Sequence, residues 1–514
     1  MKMKHIFSSL IIAAALGSVV SCNMDLYPDT TLPYDKDVPM IQTPEDITSY
    51  HRGIYSNFRA CQAGTYKIAD DVMFDGFNAA QGFGNRYGGI HRLDASFTSG
   101  DDYVTSFWSD MYTSIKNYNI IIEQIPIATV DAESYKDKLE TMMADAKVAR
   151  AWTYLQLARK FGKAYNAATA GTDLCVPLVT VYDQNARPAR ASVQAVYNQI
   201  KQDLDDAYEV LQNVAGQNSS QEFTADAVNC IYANYYLDVK NYDLAYSYAD
   251  KVISNAQYSL CATEDEFKAE FFEDAGKEAI MLLPASLTEL TGGYGEYINY
   301  GSDANSPTGY AFGSGFLPSQ VLVDSYESAD LRRRNWFDNT SKIPFETNGS
   351  YYQNKFYVFV KFKGNTALNS SGIIDGHIRP KPFSLPEMYL VAAEAAFLGN
   401  HKVNALAKLS ALQTKRGATP VSTITLEAIQ KEWFKETVGE GLRLECLKRW
   451  NIGCGVRTGQ TGALESNVLM ETSGYTDRSL AAGDYHLCWP IPSYEMKVNS
   501  NLVQNEGYSS VDVD

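Results

Sequence analysis

The chain has 514 residues, 45% of them hydrophobic and 20% charged, with a formal net charge of −17 and six histidines. That balance is globular, and its acidic surplus argues against nucleic-acid binding, which needs clustered Lys and Arg, and disfavours broad adsorption to anionic lipid. The eight cysteines form no CxxC and the histidines are scattered, so no metal site and no cofactor are expected.

The N-terminus reads as a targeting segment. Lys2 and Lys4 precede an apolar run from Ile6 to Val20, too short to remain as a membrane-spanning helix. Val-Val-Ser then leads into Cys22, as in a bacterial lipobox. Residues 1–21 are therefore expected to be a signal peptide, Cys22 the lipidated residue, and 22–42 a tether. The alternative is ordinary secretion with cleavage near Ser21, leaving a free thiol. Several acyl chains anchor stably where one chain binds only marginally. Seven further cysteines remain, an odd number that cannot all pair. Most read as small core residues, with room for one disulfide.

Two larger regions follow, 43–280 and 281–514, expected to pack as one body. Thr43-Pro44-Glu45-Asp46 opens a helix with a capping box and an early proline. Residues 70–99 are irregular and rich in Gly, Asn and aromatics. Phe107, Trp108, Met111, Ile115, Tyr118, Ile122 and Ile125 recur at three and four, the signature of one buried helix face. Leu139–Phe161 and Val193–Leu211 repeat it. Ala233, Tyr236 and Ala245 then set a spacing that Ala393, Ala396 and Ala405 reproduce. Small residues facing one another across a turn follow the close-packing logic of a tetratricopeptide hairpin. Between these pairs, 287–316 is rich in Gly, Tyr and Ser, and 335–369 alternates in a way that predicts a hairpin. Ser384-Leu-Pro386-Glu387 predicts another capping box, with Gly399 closing that helix. Glu432, Glu436, Glu440 and Arg443 are spaced to share a helix face, and Arg449 beside Trp450 predicts a cation–π anchor. The expected fold class is mainly α: tetratricopeptide-like hairpins with long loop insertions and a small β-hairpin element.

The chain's 35 tyrosines outnumber its phenylalanines and tryptophans together. A tyrosine offers a flat apolar face and a hydroxyl, which complements the C–H patches and hydroxyl rim of a sugar. Catalysis finds little support, and a hydrolase stands only as a rival reading. No carboxylate pair can be assigned across a glycosidic bond, and GFGNRYGG at 82–89 lacks the GK[ST] ending of a phosphate loop.

The C-terminal segment carries the most specific signal. EWFKETVGEGLRLECLKRW contributes Glu432, Glu436, Glu440, Gly441, Arg443, Leu447, Arg449 and Trp450. PIPSYEMKVNSNLVQNEGY contributes Pro490, Ile491, Pro492, Glu495, Asn499, Asn501, Leu502, Gln504, Asn505, Gly507 and Tyr508. Together they resemble the C-terminal signature of the SusD/RagB family of Bacteroidetes outer-membrane lipoproteins. Glu387, Tyr389, Leu390, Ala393, Glu394 and Ala395 resemble a further element of that family. Trp433, Gly439, Cys446, Ser500 and Glu506 depart from its pattern.

The resemblance implies a non-enzymatic surface protein that captures an oligosaccharide or polysaccharide. It would deliver this to a SusC-like TonB-dependent transporter, held at the outer membrane by lipid. Family members bind glycans with loops from about the two irregular regions. This ranks Phe77, Asn78, Phe83, Asn85, Arg86, Tyr87 and His91 in the first. In the second it ranks Tyr294, Tyr297, Tyr300, Tyr310, Phe316 and Trp336. Trp336 follows the charged run Leu331–Asn335 and is expected near solvent as a stacking platform. A helical-repeat lipoprotein that binds peptides or proteins is the alternative reading.

Overall fold

The computed structural model describes residues 34–509 apart from 291, 341, 354, 370–373 and 473. The expected signal peptide, Cys22 and most of the tether lie outside the described residues.

Helix α1 (Pro44–Ala60) starts on the expected capping box: Asp46 N–H donates to the Thr43 hydroxyl and Thr43 N–H to the Asp46 carboxylate, at 3.2 and 2.8 Å. Helices α2 (Asp102–Gln124), α3 (Lys136–Phe161) and α4 (Val193–Leu211) fall where the apolar periodicity puts them, and each packs on the next. Helices α5 (Ala225–Asp238), α6 (Tyr242–Ile253), α7 (Leu385–Leu398) and α8 (Lys402–Lys415) continue the stack in that order. Ala233, Ala245, Ala393, Ala396 and Ala405 are all buried at these contacts. The small-residue spacing thus marks two helical hairpins far apart in sequence and adjacent in space.

The second capping box does not form. Ser384 makes no side-chain bond to the start of α7. Glu387 is 5% exposed and accepts instead from the Asn234 amide at 2.9 Å. Burial between two helices takes the carboxylate that the cap would have used.

The single helix face expected for Glu432 to Arg443 is also revised. Helix α9 (Leu426–Glu436) ends before Gly439 and Gly441, whose φ values of +83° and +67° break the chain, and helix α10 (Arg443–Trp450) begins afresh. The four charges therefore do not pair along one face: the first two share a partner and the last two take others. Glu432 and Glu436 meet Arg332 at 2.6 and 2.7 Å, and Glu436 also meets Arg416 at 2.6 Å. Glu440 pairs with Lys361, and Arg443 grips Asp75 through two bonds of 3.0 and 2.7 Å. Arg449 lies over Trp433 and Trp450, as an anchor should.

The β structure is small. Strands β1 (Phe77–Ala79) and β4 (Phe316–Pro318) form an antiparallel pair. Strands β2 (Tyr300–Ser302), β3 (Tyr310–Phe312), β5 (Phe345–Thr347) and β6 (Ser350–Tyr352) make a four-stranded sheet in the order β6-β5-β3-β2. The expected hairpin in 335–369 is thus β5–β6, not the alternating run at 356–362. That run instead sends Val358–Phe359 to pair with Phe337–Asp338. A small apolar cluster beneath the sheet includes Ile298, Phe312, Leu317, Phe345 and Val358. The main core runs from Ile41 to Leu502 and draws on both halves of the chain. Cys61, Cys175, Cys230, Cys261, Cys446 and Cys454 are buried free thiols, and Cys488 is partly exposed.

Candidate functional site

The two irregular regions that the sequence ranks separately meet in space. Phe77 stacks on Tyr297 with ring centroids 4.6 Å apart, and Phe83 and Tyr87 both approach Phe316 edge-on. Arg86 pairs with Glu296 at 2.8 Å. Gln81 meets Asn348 at the β5–β6 turn, at 3.5 Å. Loop 81–87 is thereby tied to the β5–β6 turn and to the helical turn Gly295–Ile298 that precedes β2.

Most ranked aromatics build this junction rather than its surface. Phe77, Asn78, Phe83, Tyr87, Tyr294 and Tyr297 are all buried, as are His91 and Phe316. Tyr294 lies flat against Phe362, and Tyr87 against Tyr103. His91 is fully enclosed against the Val72 carbonyl and Arg457. Their size explains the outcome: a short sheet with little regular structure around it needs large side chains to fill its interior.

Trp336 is the clearest correction. It has no exposed surface. Its indole packs against Phe267 and Phe271, with the Lys361 ammonium 4.1 Å from the ring centroid. The arginine run beside it does not face solvent as a block. Arg332 is itself fully buried, held by Asp330, Glu432 and Glu436. Paired charge travels into a core where unpaired charge does not.

Asn85, Arg86, Tyr300 and Tyr310 do reach the surface. Tyr300 and Tyr310 lie on one face of β2–β3, diagonal to each other across the register Ser302↔Tyr310 and Tyr300↔Phe312. Their rings are parallel within 3°, with centroids 5.4 Å apart. Phe312, opposite Tyr300 in the register, packs against it with ring centroids 5.4 Å apart. Tyr310 is 38% exposed and half-buried Tyr300 backs it. The result is a flat aromatic shelf on a rigid hairpin.

The sheet and the loop tied to it carry polar groups. The Tyr351 hydroxyl donates to Asp303 at 2.6 Å. That bond holds the Asp303 carboxyl below its ordinary range and pushes the Tyr351 hydroxyl up to about 12. Arg86 keeps half its side chain in solvent while bonding Glu296, whose carboxyl burial pushes up. Arg92 ties Asn85 to Tyr475 with bonds of 2.9 Å each. Asp303, Asn348 and Tyr351 escaped the sequence reading. Asn348-Gly349 was a usable signal, since an Asn-Gly pair between aromatic runs marks a tight hairpin. Both residues adopt positive φ here, 50° and 78°.

Two family models match the chain. One, described as starch-binding associating with outer membrane, covers residues 24–237. The other, described as the SusD family, covers residues 332–508. The SusD-like protein P2 of Formosa agariphila is 23% identical over 448 residues, spanning 80% of this chain and 83% of that protein. A solved SusD superfamily protein from Bacteroides thetaiotaomicron superposes with a TM-score of 0.74 at 23% identity, over 91% of this chain and 100% of that one. A solved laminarin-binding SusD-like protein superposes with a TM-score of 0.65 at 20% identity, again over 91% and 100%.

Proposed function

Since the chain belongs to the SusD/RagB family, we propose that it captures oligosaccharides and passes them to a SusC-like TonB-dependent transporter. It would do so from the outer surface of the outer membrane, anchored through lipid on Cys22. The observation that carries the binding step is the Tyr300–Tyr310 shelf. A sugar ring would lie on the open face of Tyr310. Its hydroxyls would reach the polar rim that Asn85, Arg86 and the Asp303–Tyr351 pair provide. Charge on this rim is largely compensated in place, since Arg86 faces Glu296 and Arg92 faces Asp94. Such a rim suits hydroxyl-rich ligands. The starch-binding description of one matching model and the laminarin-binding structural neighbour support the same ligand class. The chemistry proposed is recognition rather than bond cleavage.

The test is isothermal titration of maltoheptaose and laminarihexaose into the soluble protein, with a peptide library as control. Tyr310→Ala is expected to weaken oligosaccharide binding at least tenfold, about 1.4 kcal/mol, without moving the melting temperature. Stacking anchors concentrate recognition energy in this way. Undiminished affinity in a folded Tyr310→Ala protein removes the shelf from the site. Binding of peptides but not of sugars overturns the ligand class.

A further inference from the structure

A large cleft lies elsewhere, with a volume of about 820 Å³. It opens between the segment after α3, the α5–α6 turn, the end of α10 and the C-terminal tail. It shares no lining residue with the shelf, and its size falls within the range of ligand pockets.

Its charges are mostly spoken for. Lys163 pairs with Asp173, and Arg449 with Glu394. Lys448 is buried and gives its ammonium to the Arg159 and Gly162 carbonyls at 2.5 and 2.6 Å. Asp484 bonds His486 at 2.7 Å. Lys240 and Glu506 also line the opening, so the cleft presents mixed charge and no concentrated patch of one sign. It offers instead a flat ring. Tyr485 is 41% exposed at the wall and lies over His486 with ring centroids 3.9 Å apart. Tyr508 meets it edge-on at 5.0 Å.

The tail motif holds that ring in place. Gly507 has φ +87°, and any side chain there would overlap the Tyr485 ring. Asn505 fixes the same tail with bonds to the Phe161 and Trp489 carbonyls at 2.9 and 2.7 Å. The Gln504–Tyr508 stretch, one of the strongest sequence signals in the chain, thus seats an exposed aromatic at the rim of a large cleft.

We propose that this cleft is a second carbohydrate subsite, with Tyr485 as its stacking face and a neutral oligosaccharide as its ligand. The inference rests on the sugar-binding reading above. Exposed Asn166, Lys240 and Asn451 around the opening supply hydroxyl partners.

The experiment titrates maltoheptaose and laminarihexaose into the wild-type protein, Tyr485→Ala, Tyr485→Phe and Tyr310→Ala. The expected result is two sites in the wild type. Tyr485→Ala loses one of them, or weakens it at least tenfold, while Tyr485→Phe keeps it and Tyr310→Ala loses the other. A second measurement uses wild-type protein alone, following nitration of Tyr485 by mass spectrometry with and without sugar. Protection supports the subsite even if Tyr485→Ala fails to fold. Equal nitration rates, together with unchanged stoichiometry and affinity in a folded Tyr485→Ala, overturn it and leave the shelf standing. Absence of any sugar binding in the wild type overturns the shelf reading instead, and this one with it.

Discussion

Trp336 sits between Phe267 and Phe271 with no exposed surface. Replacing it with alanine opens a cavity, so Trp336→Ala should cost about 3–5 kcal/mol of stability. Thermal unfolding would show the loss, and sugar affinity of the remaining folded protein should stay as it was. Asp71 gives a prediction of a different kind. Burial, and then Asp70 beside it, push its carboxyl up to about 8, against hydrogen bonds from the Gly441 and Gly439 amides. Asp70 itself rises to about 6, mainly through burial. A carboxyl whose folded value lies above its unfolded value of about 3.9 favours folding while it is protonated. That contribution is complete below the unfolded value and fades as pH climbs through the folded one. The melting temperature should therefore lose ground between about pH 4 and 8 on account of Asp71. Asp71→Asn keeps an oxygen for the Gly441 amide and should flatten that decline, with its gain over wild type largest near pH 8. Calorimetry across the range decides it: parallel curves for the two proteins would refute the assignment. Neither environment is legible in a single sequence. Trp336 follows three arginines, and only the partners Glu432 and Glu436, about a hundred residues later, reveal that the run turns inward.

Helices α5 to α8 were legible because their pattern is periodic and survives the long insertion between the pairs. Ala245 and Ala393 let neighbouring backbones approach, and both are fully buried. Ala393→Leu should therefore overpack the α6–α7 contact and cost about 1–3 kcal/mol. A shift of the denaturant midpoint at constant slope would register it, and an unshifted midpoint would mean the helices are not closely packed there. The strands were far less legible. Those of two or three residues carry too little alternation to register, and their partners are remote: β1 finds β4 across more than two hundred residues. The break between α9 and α10 was hidden for another reason. Its acidic spacing fits one continuous helix, and only the positive φ at Gly439 and Gly441 shows that two glycines end it. The shelf was half legible. Tyrosine abundance pointed to its segment, but only the pairing of β2 with β3 brings Tyr300 to Tyr310, and only packing on Phe362 and Phe77 turns Tyr294 and Tyr297 inward.

At the scale of the whole molecule, the halves are sewn together by buried charge. Arg159 of α3 meets Asp238 of α5 and Glu445 of α10 at 2.8 Å each, and Arg443 reaches back to Asp75. This body must still be held at a membrane for the proposed role. No helix among the described residues is long and apolar enough to cross one. The chain is acidic overall, and the proposed removal of residues 1–21 would take two lysines with it and deepen the surplus. Such a chain is poorly suited to clinging to anionic lipid on its own. The proposed attachment therefore falls on Cys22, where several acyl chains would hold the protein as one chain does not. Cys22→Ala, expressed with its leader but without a transporter, should appear in the soluble fraction after ultracentrifugation, while the unaltered protein pellets with membranes. Leaving out the transporter matters, because a bound partner would carry the variant down with it. If Cys22→Ala still pellets under those conditions, another part of the chain binds lipid and the anchor assignment falls. The shelf and the tail-seated Tyr485 are untouched by that result, since both belong to the folded body.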